Sequence, residues 1–156
     1  MNNIGIDKEK AQKLSEKLQE LLAGYQIFYT NVRGFHWNIR GEKFFELHGK
    51  FEELYDNLIL KIDEIAERIL TLGFTPEFRY SRYLSLSEIE EARQTSDGVQ
   101  NVKNIVASFS TLIARQRKLL TLSDEAGDEG TNSLMSDYIR EQEKWVWMYS
   151  AFLNRN

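Results

Sequence analysis

The chain contains two histidines, His36 and His48, set twelve residues apart in Arg33-Gly34-Phe35-His36-Trp37-Asn38-Ile39-Arg40-Gly41 and Phe44-Phe45-Glu46-Leu47-His48. Taken alone, a histidine on a helix is more often a hydrogen-bonded structural residue than a ligand. The acids nearby give these two more weight. His48 with Glu52, and Asp63 with Glu67, are i,i+4 pairs, so each pair stacks on one side of a helix. At about 100° per residue, with His48 at zero, Glu52 falls near 40°, Asp63 near 60° and Glu67 near 100°. The apolar Phe51, Leu54, Leu58, Ile62, Ile65 and Ile69 cluster instead between roughly 240° and 320°. The acidic stripe is therefore separate from the core face. Imidazole and carboxylate together suit iron, manganese or zinc, and ligand type alone does not choose among them. The plainer alternative is a solvated acidic stripe with two structural histidines.

His48 and Asp63 lie fifteen residues apart, about 22 Å along a helix axis, so one helix cannot bring both to one ion. An antiparallel copy of the same helix can. A two-fold axis near Asn57 and Leu58 would set His48 and Glu52 of one chain against Asp63 and Glu67 of another, giving two intersubunit sites per dimer. The usual di-iron bundle takes Glu and Glu-x-x-His ligands from its own four helices, and no Glu-x-x-His occurs in this sequence. That absence also favours a site between subunits.

The elements that must carry these residues read as helices. Asp7 is an N-cap signal, after which Ala11, Leu14, Leu18, Leu21, Leu22, Tyr25, Phe28, Tyr29 and Val32 recur at spacings of three and four. This first helix should end near Gly41. A second spans about Phe44 to Leu72, with Gly73 as its C-terminal signal and Pro76 just beyond. Thr75 to Leu84 reads as irregular, and Ser85 with Glu88, or Ser87 with Glu90, could box the start of a short helix reaching Ala92. Ser96 or Asp97 opens a third long helix through Val102, Ile105, Phe109, Leu112 and Leu119, and the Gly127 to Gly130 turn separates it from a fourth ending near Leu153. Four long helices with a short one in the long crossover between the second and third give an all-α, ferritin-like four-helix bundle.

Composition agrees and excludes other chemistries. The 156 residues are 42% hydrophobic and 28% charged, with nine Gly and one Pro, which suits one helical domain over residues 1–156. There is no cysteine, so thiol catalysis and iron–sulfur clusters are excluded. The opening MNNIGIDKEKAQKLSEKL lacks the apolar core of a signal peptide, and no window approaches a membrane span, so a cytoplasmic location is expected. A net charge of -4 is the wrong sign for coating nucleic acid, and Lys8, Lys10, Lys13 and Lys17 are interleaved with Asp7, Glu9 and Glu16 as on a solvated face.

The two histidine-bearing segments, together with Ile62-Asp63-Glu64-Ile65-Ala66-Glu67-Arg68 followed by Gly73 and Pro76, closely resemble the two signatures of the Dps family of mini-ferritins, the DNA-binding proteins from starved cells. The resemblance spans essentially the whole chain. It implies a hollow dodecamer whose ferroxidase centres, each binding iron as a single ion or a di-iron pair, lie at two-fold interfaces, with His36 and His48 from one subunit and Asp63 and Glu67 from the other. Glu52 stands where the family usually has Asp, as an added ligand or a residue just behind the ligands. The same resemblance implies oxidation of Fe(II) by hydrogen peroxide, or more slowly dioxygen, storage of ferric mineral and protection against oxidative stress.

Further roles follow from the family alone. Trp37 is a radical trap or an interfacial packing aromatic, and Trp147 matches a family aromatic for which core packing is the default. Iron inlet pores at three-fold axes would draw on Asp128 first, then Asp124 and Glu125, although Ser133 replaces a further acid common in the family. Many relatives bind DNA through a lysine-rich tail that the residues before Asp7 do not supply, so DNA binding is expected to be absent or secondary. A nucleoid-binding protein with secondary iron chemistry is the alternative.

Overall fold

The computed structural model describes residues 1–155. Its helices are α1 (Lys8–Asn38), α2 (Phe44–Thr71), α3 (Tyr80–Leu86), α4 (Gly98–Glu125) and α5 (Glu129–Phe152). Three of them begin on an aspartate: Asp7 accepts from the Lys10 amide, Asp97 from Val99 and Gln100, and Asp128 from Thr131. α2 ends as a glycine-closed helix should. Gly73, at φ +96°, lets its own amide reach the Leu70 carbonyl and the Phe74 amide reach Ile69, satisfying carbonyls the helix would leave bare.

α1 packs against α2, α4 and α3, and α4 packs against α5. The core lies along the inward stripes: Leu14, Leu18, Leu21 and Phe28 of α1 meet Phe51, Leu54, Leu58 and Ile65 of α2 and Ile105, Phe109 and Leu112 of α4. Each such side chain, fully buried, contributes about 1.5–3 kcal/mol. The turn between α1 and α2 is tied to the head of α4 where the Arg40 amide donates to the Ser96 carbonyl, 3.0 Å away. Gly98 sits at that crossing, because a Cβ there would come within 2.6 Å of Leu47.

A polar ring replaces apolar packing in the middle of the bundle. The Tyr25 hydroxyl donates to Gln116 Oε1 (2.5 Å), Gln116 Nε2 donates to Gln142 Oε1 (2.8 Å), and Gln142 Nε2 donates back to the Tyr25 oxygen (2.5 Å). All three residues are buried, so the closed cycle satisfies groups that would otherwise be costly to desolvate. It also fixes the relative register of α1, α4 and α5.

The short crossover helix differs from expectation. It occupies Tyr80–Leu86, mostly within the stretch expected to be irregular; of the expected segment only Ser85 and Leu86 are helical, and Ser87 to Ala92 are not. Neither capping box forms. The Ser87 hydroxyl instead donates to the Ile89 carbonyl and accepts from the Ile89 amide, a local turn that ends the helix. Asn31 of α1 then holds the next residues extended, donating to the Glu90 carbonyl and accepting from the Ala92 amide, while Glu88 is drawn off to Arg115. The start moves earlier because Gln19 of α1 grips Thr75 and Glu77, and the buried Tyr83 donates its hydroxyl to the Glu77 carbonyl. Tertiary partners on α1 overrule the local signal.

Candidate metal centre

His36 lies in the last turn of α1 and His48 in the second turn of α2, and the short Ile39–Lys43 link folds one onto the other. Their rings stack with centroids 3.8 Å apart and planes within 12°. Each orients the other: His36 Nδ1 lies 2.6 Å from the His48 carbonyl oxygen, and His48 Nδ1 lies 2.7 Å from the His36 carbonyl oxygen. A carbonyl can only accept, so both Nδ1 atoms carry the proton and donate. That bond leaves Nε2 as the nitrogen free to accept or to bind a metal in the neutral form of each ring, and it fixes the ring's aim from the opposite side.

Aromatic residues wall this pair. The Phe44 ring stacks on His48 at 4.8 Å, and Tyr55 meets His36 edge-on at 5.4 Å. Partial burial, then the Glu52 and Asp56 carboxylates, hold the Tyr55 hydroxyl above its ordinary pKa. The Arg33 guanidinium lies over the rings of Tyr29 (5.2 Å) and Trp37 (4.8 Å). Trp37 itself is exposed, on the outer side of the pair.

Glu52, Asp63 and Glu67 are exposed on the outer face of α2. Among the described residues their carboxylates join none of the chain's ion pairs, which engage other acids such as Glu20, Glu77, Asp128 and Glu141. Within one chain, no three His, Asp or Glu side chains among the described residues converge closely enough to hold a metal ion. The histidine pair and the Asp63–Glu67 pair therefore occupy opposite ends of one face. Large apolar side chains are exposed on the same face, with Phe45, Ile59 and Leu70 uncovered and Leu60 67% accessible. An acidic face interspersed with exposed leucine and isoleucine has the composition of a surface awaiting a partner.

The residues expected at an inlet pore divide. Asp124 and Glu125 are exposed at the end of α4, but Asp128 is only 2% accessible. Its carboxylate caps α5 through the Thr131 amide (3.0 Å), takes the Thr131 hydroxyl (2.5 Å) and pairs with Arg68 at 2.6 Å. Nothing in the sequence run Ser123 to Glu129 signals that burial, since Arg68 is sixty residues away. Trp147 also departs from expectation: it is 65% accessible, and the aromatic packed into the core is Trp145, stacked on Tyr149 at 5.9 Å and near Phe109. The 3.6-residue period puts positions 145 and 149 on one stripe and 147 on the far side.

The description "Ferritin-like domain" matches residues 15–156, and the bundle with its long crossover makes this a ferritin-like protein. An uncharacterized protein of Haemophilus influenzae is 54% identical over 149 residues, covering 96% of this chain and 93% of its own. A DNA protection during starvation protein of Porphyromonas gingivalis is 42% identical over 151 residues, covering 97% of this chain and 95% of its own. The crystal structure of a Dps protein from Vibrio cholerae O1, described as a member of a broad superfamily of ferritin-like diiron-carboxylate proteins, matches at TM-score 0.97 and 55% identity over 98% of this chain and 96% of that one. The chain belongs to the Dps family of mini-ferritins.

Proposed function

We propose that this chain is a ferroxidase and iron store, a homo-oligomer of twelve copies enclosing a cavity, with its iron centres shared across two-fold contacts. The observation that carries the reading is the reciprocal lock of His36 and His48 through Nδ1, which leaves both Nε2 atoms without a hydrogen bond among the described residues, together with the α2 face that is both acidic and apolar. A copy of α2 laid antiparallel on that face covers Leu60 and Ile59 near the two-fold axis. It also brings Asp63 and Glu67 opposite His36 and His48, with Glu52 at the margin.

The donor set fits iron: imidazoles whose Nδ1 atoms are engaged by backbone carbonyls, and carboxylates that join no ion pair among the described residues. Fe(II) enters as substrate and leaves as Fe(III). Two ferrous ions held together give hydrogen peroxide two electrons, so that 2 Fe(II) + H2O2 + 2 H+ yields 2 Fe(III) + 2 H2O with no hydroxyl radical released. The carboxylates favour the more highly charged ferric product and so the oxidation itself. Asp124 and Glu125, exposed beside the start of α5, supply negative potential for inward passage of Fe(II), whereas Asp128 shapes that corner from within.

Protection of DNA, the property named for the Porphyromonas gingivalis relative, follows from removing iron and peroxide and requires no contact with DNA. The test is peroxide-dependent Fe(II) oxidation, followed by ferric absorbance, together with the particle's mass. Two Fe(II) consumed per peroxide by a particle of twelve chains supports the reading. Oxidation no faster than in buffer overturns it, and tight, salt-sensitive retardation of DNA would favour the nucleoid-binding alternative.

A further inference from the structure

Asp63 and Glu67 have no side-chain partners of their own among the described residues, so within the chain it is the roll of α2 about its axis that sets the direction in which their side chains leave the helix. With His48 again at zero on the helical wheel, the residues next to them point the other way: Lys61 lies near 220°, Glu64 near 160° and Arg68 near 200°. All three are fastened to α5. Lys61, 5% accessible, donates to Glu141 at 2.6 Å and to Asn57 at 2.8 Å. The Tyr138 hydroxyl donates to Glu64 at 3.1 Å. Arg68 reaches Thr131 through Nε at 2.9 Å and Asp128 through a terminal nitrogen at 2.6 Å. Gly130 makes room for that last contact, because a Cβ there would lie 2.6 Å from the guanidinium.

We infer that this polar seam between α2 and α5 positions the carboxylate half of the iron centre, with Arg68 as its principal positioning residue. The inference rests on the shared-centre reading above. A carboxylate stands about 5–6 Å from the helix axis, so a roll of only 10° moves it by about 1 Å. A ligand set tolerates about half that. The core packing of Leu54, Leu58, Ile65 and Ile69 holds α2 in place but is non-directional. Charged hydrogen bonds at 2.6 Å to groups as buried as Asp128 cannot slide. The seam is also one-sided. It flanks Asp63 and Glu67 but not the histidines, which their own backbone bonds align.

The test uses the assembled shell and Co(II), whose visible spectrum reports imidazole and carboxylate ligation without turnover. The variant Arg68→Leu/Asp128→Asn removes the ion pair, while the asparagine amide introduced at the head of α5 keeps the N-cap. We expect its shell mass to be unchanged and its Co(II) affinity to fall roughly 10- to 100-fold, the range for partners just behind metal ligands. Co-expression supplies the readout that a merely structural role would not move. Shells containing the seam variant and His48→Ala chains should regain tight Co(II) binding, because intact histidines and intact carboxylates then meet. Shells containing the seam variant and Asp63→Ala chains should not, because both defects lie in the same half.

Unchanged affinity overturns the inference, as does recovery with Asp63→Ala or recovery with neither partner. Should that variant fail to assemble, Lys61→Met/Glu141→Gln removes another rung and is read in the same way. The shared-centre reading fails separately, if the unaltered shell shows no Co(II) band that Asp63→Ala abolishes.

Discussion

The proposed shared centre makes a numerical prediction that can be read in one experiment. His48→Ala destroys the histidine half of a centre and Asp63→Ala the carboxylate half, so a shell built from either variant alone should be inactive. Equal co-expression, with random pairing across two-fold contacts, makes half of the contacts mixed. In a mixed pair, one centre combines both defects. The other joins the intact histidines of the Asp63→Ala chain to the intact carboxylates of the His48→Ala chain. Half the pairs with one good centre of two gives about a quarter of the native activity. The separation of about 22 Å between His48 and Asp63 rules out any single-chain repair that would mimic this. Peroxide-dependent Fe(II) oxidation per particle, with mass spectrometry to verify that both chains are present, measures the fraction. Mixed shells as inactive as their parents would refute the shared centre, and activity near one half or above would refute the assumed pairing.

Other perturbations follow from the same geometry. Leu60→Asp, which removes about 1.5–3 kcal/mol of apolar burial per copy at the two-fold contact and adds a charge there, should give particles smaller than the native shell by light scattering; an intact shell would place the interface elsewhere. Asp128→Ala should cost about 3–5 kcal/mol by stranding Arg68, seen as a lower Tm. Asp124→Asn with Glu125→Gln should leave stability within about 0.5 kcal/mol of native yet slow iron oxidation at low Fe(II). The reverse pattern would make Asp128 the inlet acid. Burial lifts the Tyr25 hydroxyl well above its ordinary pKa, with the Gln142 hydrogen bond opposing. The folded state thus keeps a proton that the unfolded chain releases above about pH 10, so stability is whole below that pH and declines above it by about 1.4 kcal/mol per pH unit. Tyrosinate absorbance from Tyr25 should appear only as the chain unfolds, and its appearance in folded protein would contradict the buried ring.

Helix boundaries are legible in the sequence where local chemistry decides them. Asp7, Asp97 and Gly73 cap in the structure as their types suggest, because a cap needs only its own next few residues. The crossover is illegible for the opposite reason: Ser85 and Ser87 carry a valid local signal, but Asn31 and Gln19 on α1 hold the chain differently. At the centre, periodicity alone places Asp63 and Glu67 on one stripe with His48. It does not reveal that the two histidines fix each other's tautomer and aim, since that depends on how α1 folds back onto α2. Asp128 and Trp147 depart from expectation through burial, which sequence reports only as an average over a face. Asp128 reads as a surface acid until Arg68 reaches it from another helix, and Trp147 reads as core until the helix turns it outward.

The spacing between the two halves of the centre has a consequence for how this sequence can vary. In the proposed shared centre one helix contributes to two centres, so residues 48 to 63 would act as a ruler whose graduations are helical turns. Substitutions along it are absorbed locally, but loss or gain of a single residue rotates everything beyond it by about 100° and turns Asp63 and Glu67 away from the partner. Removing seven residues nearly restores the angle, yet it shortens the ruler by about 10 Å, and the antiparallel copy shortens with it. Within this stretch the length of the chain should therefore be more strictly inherited than the identity of most of its side chains.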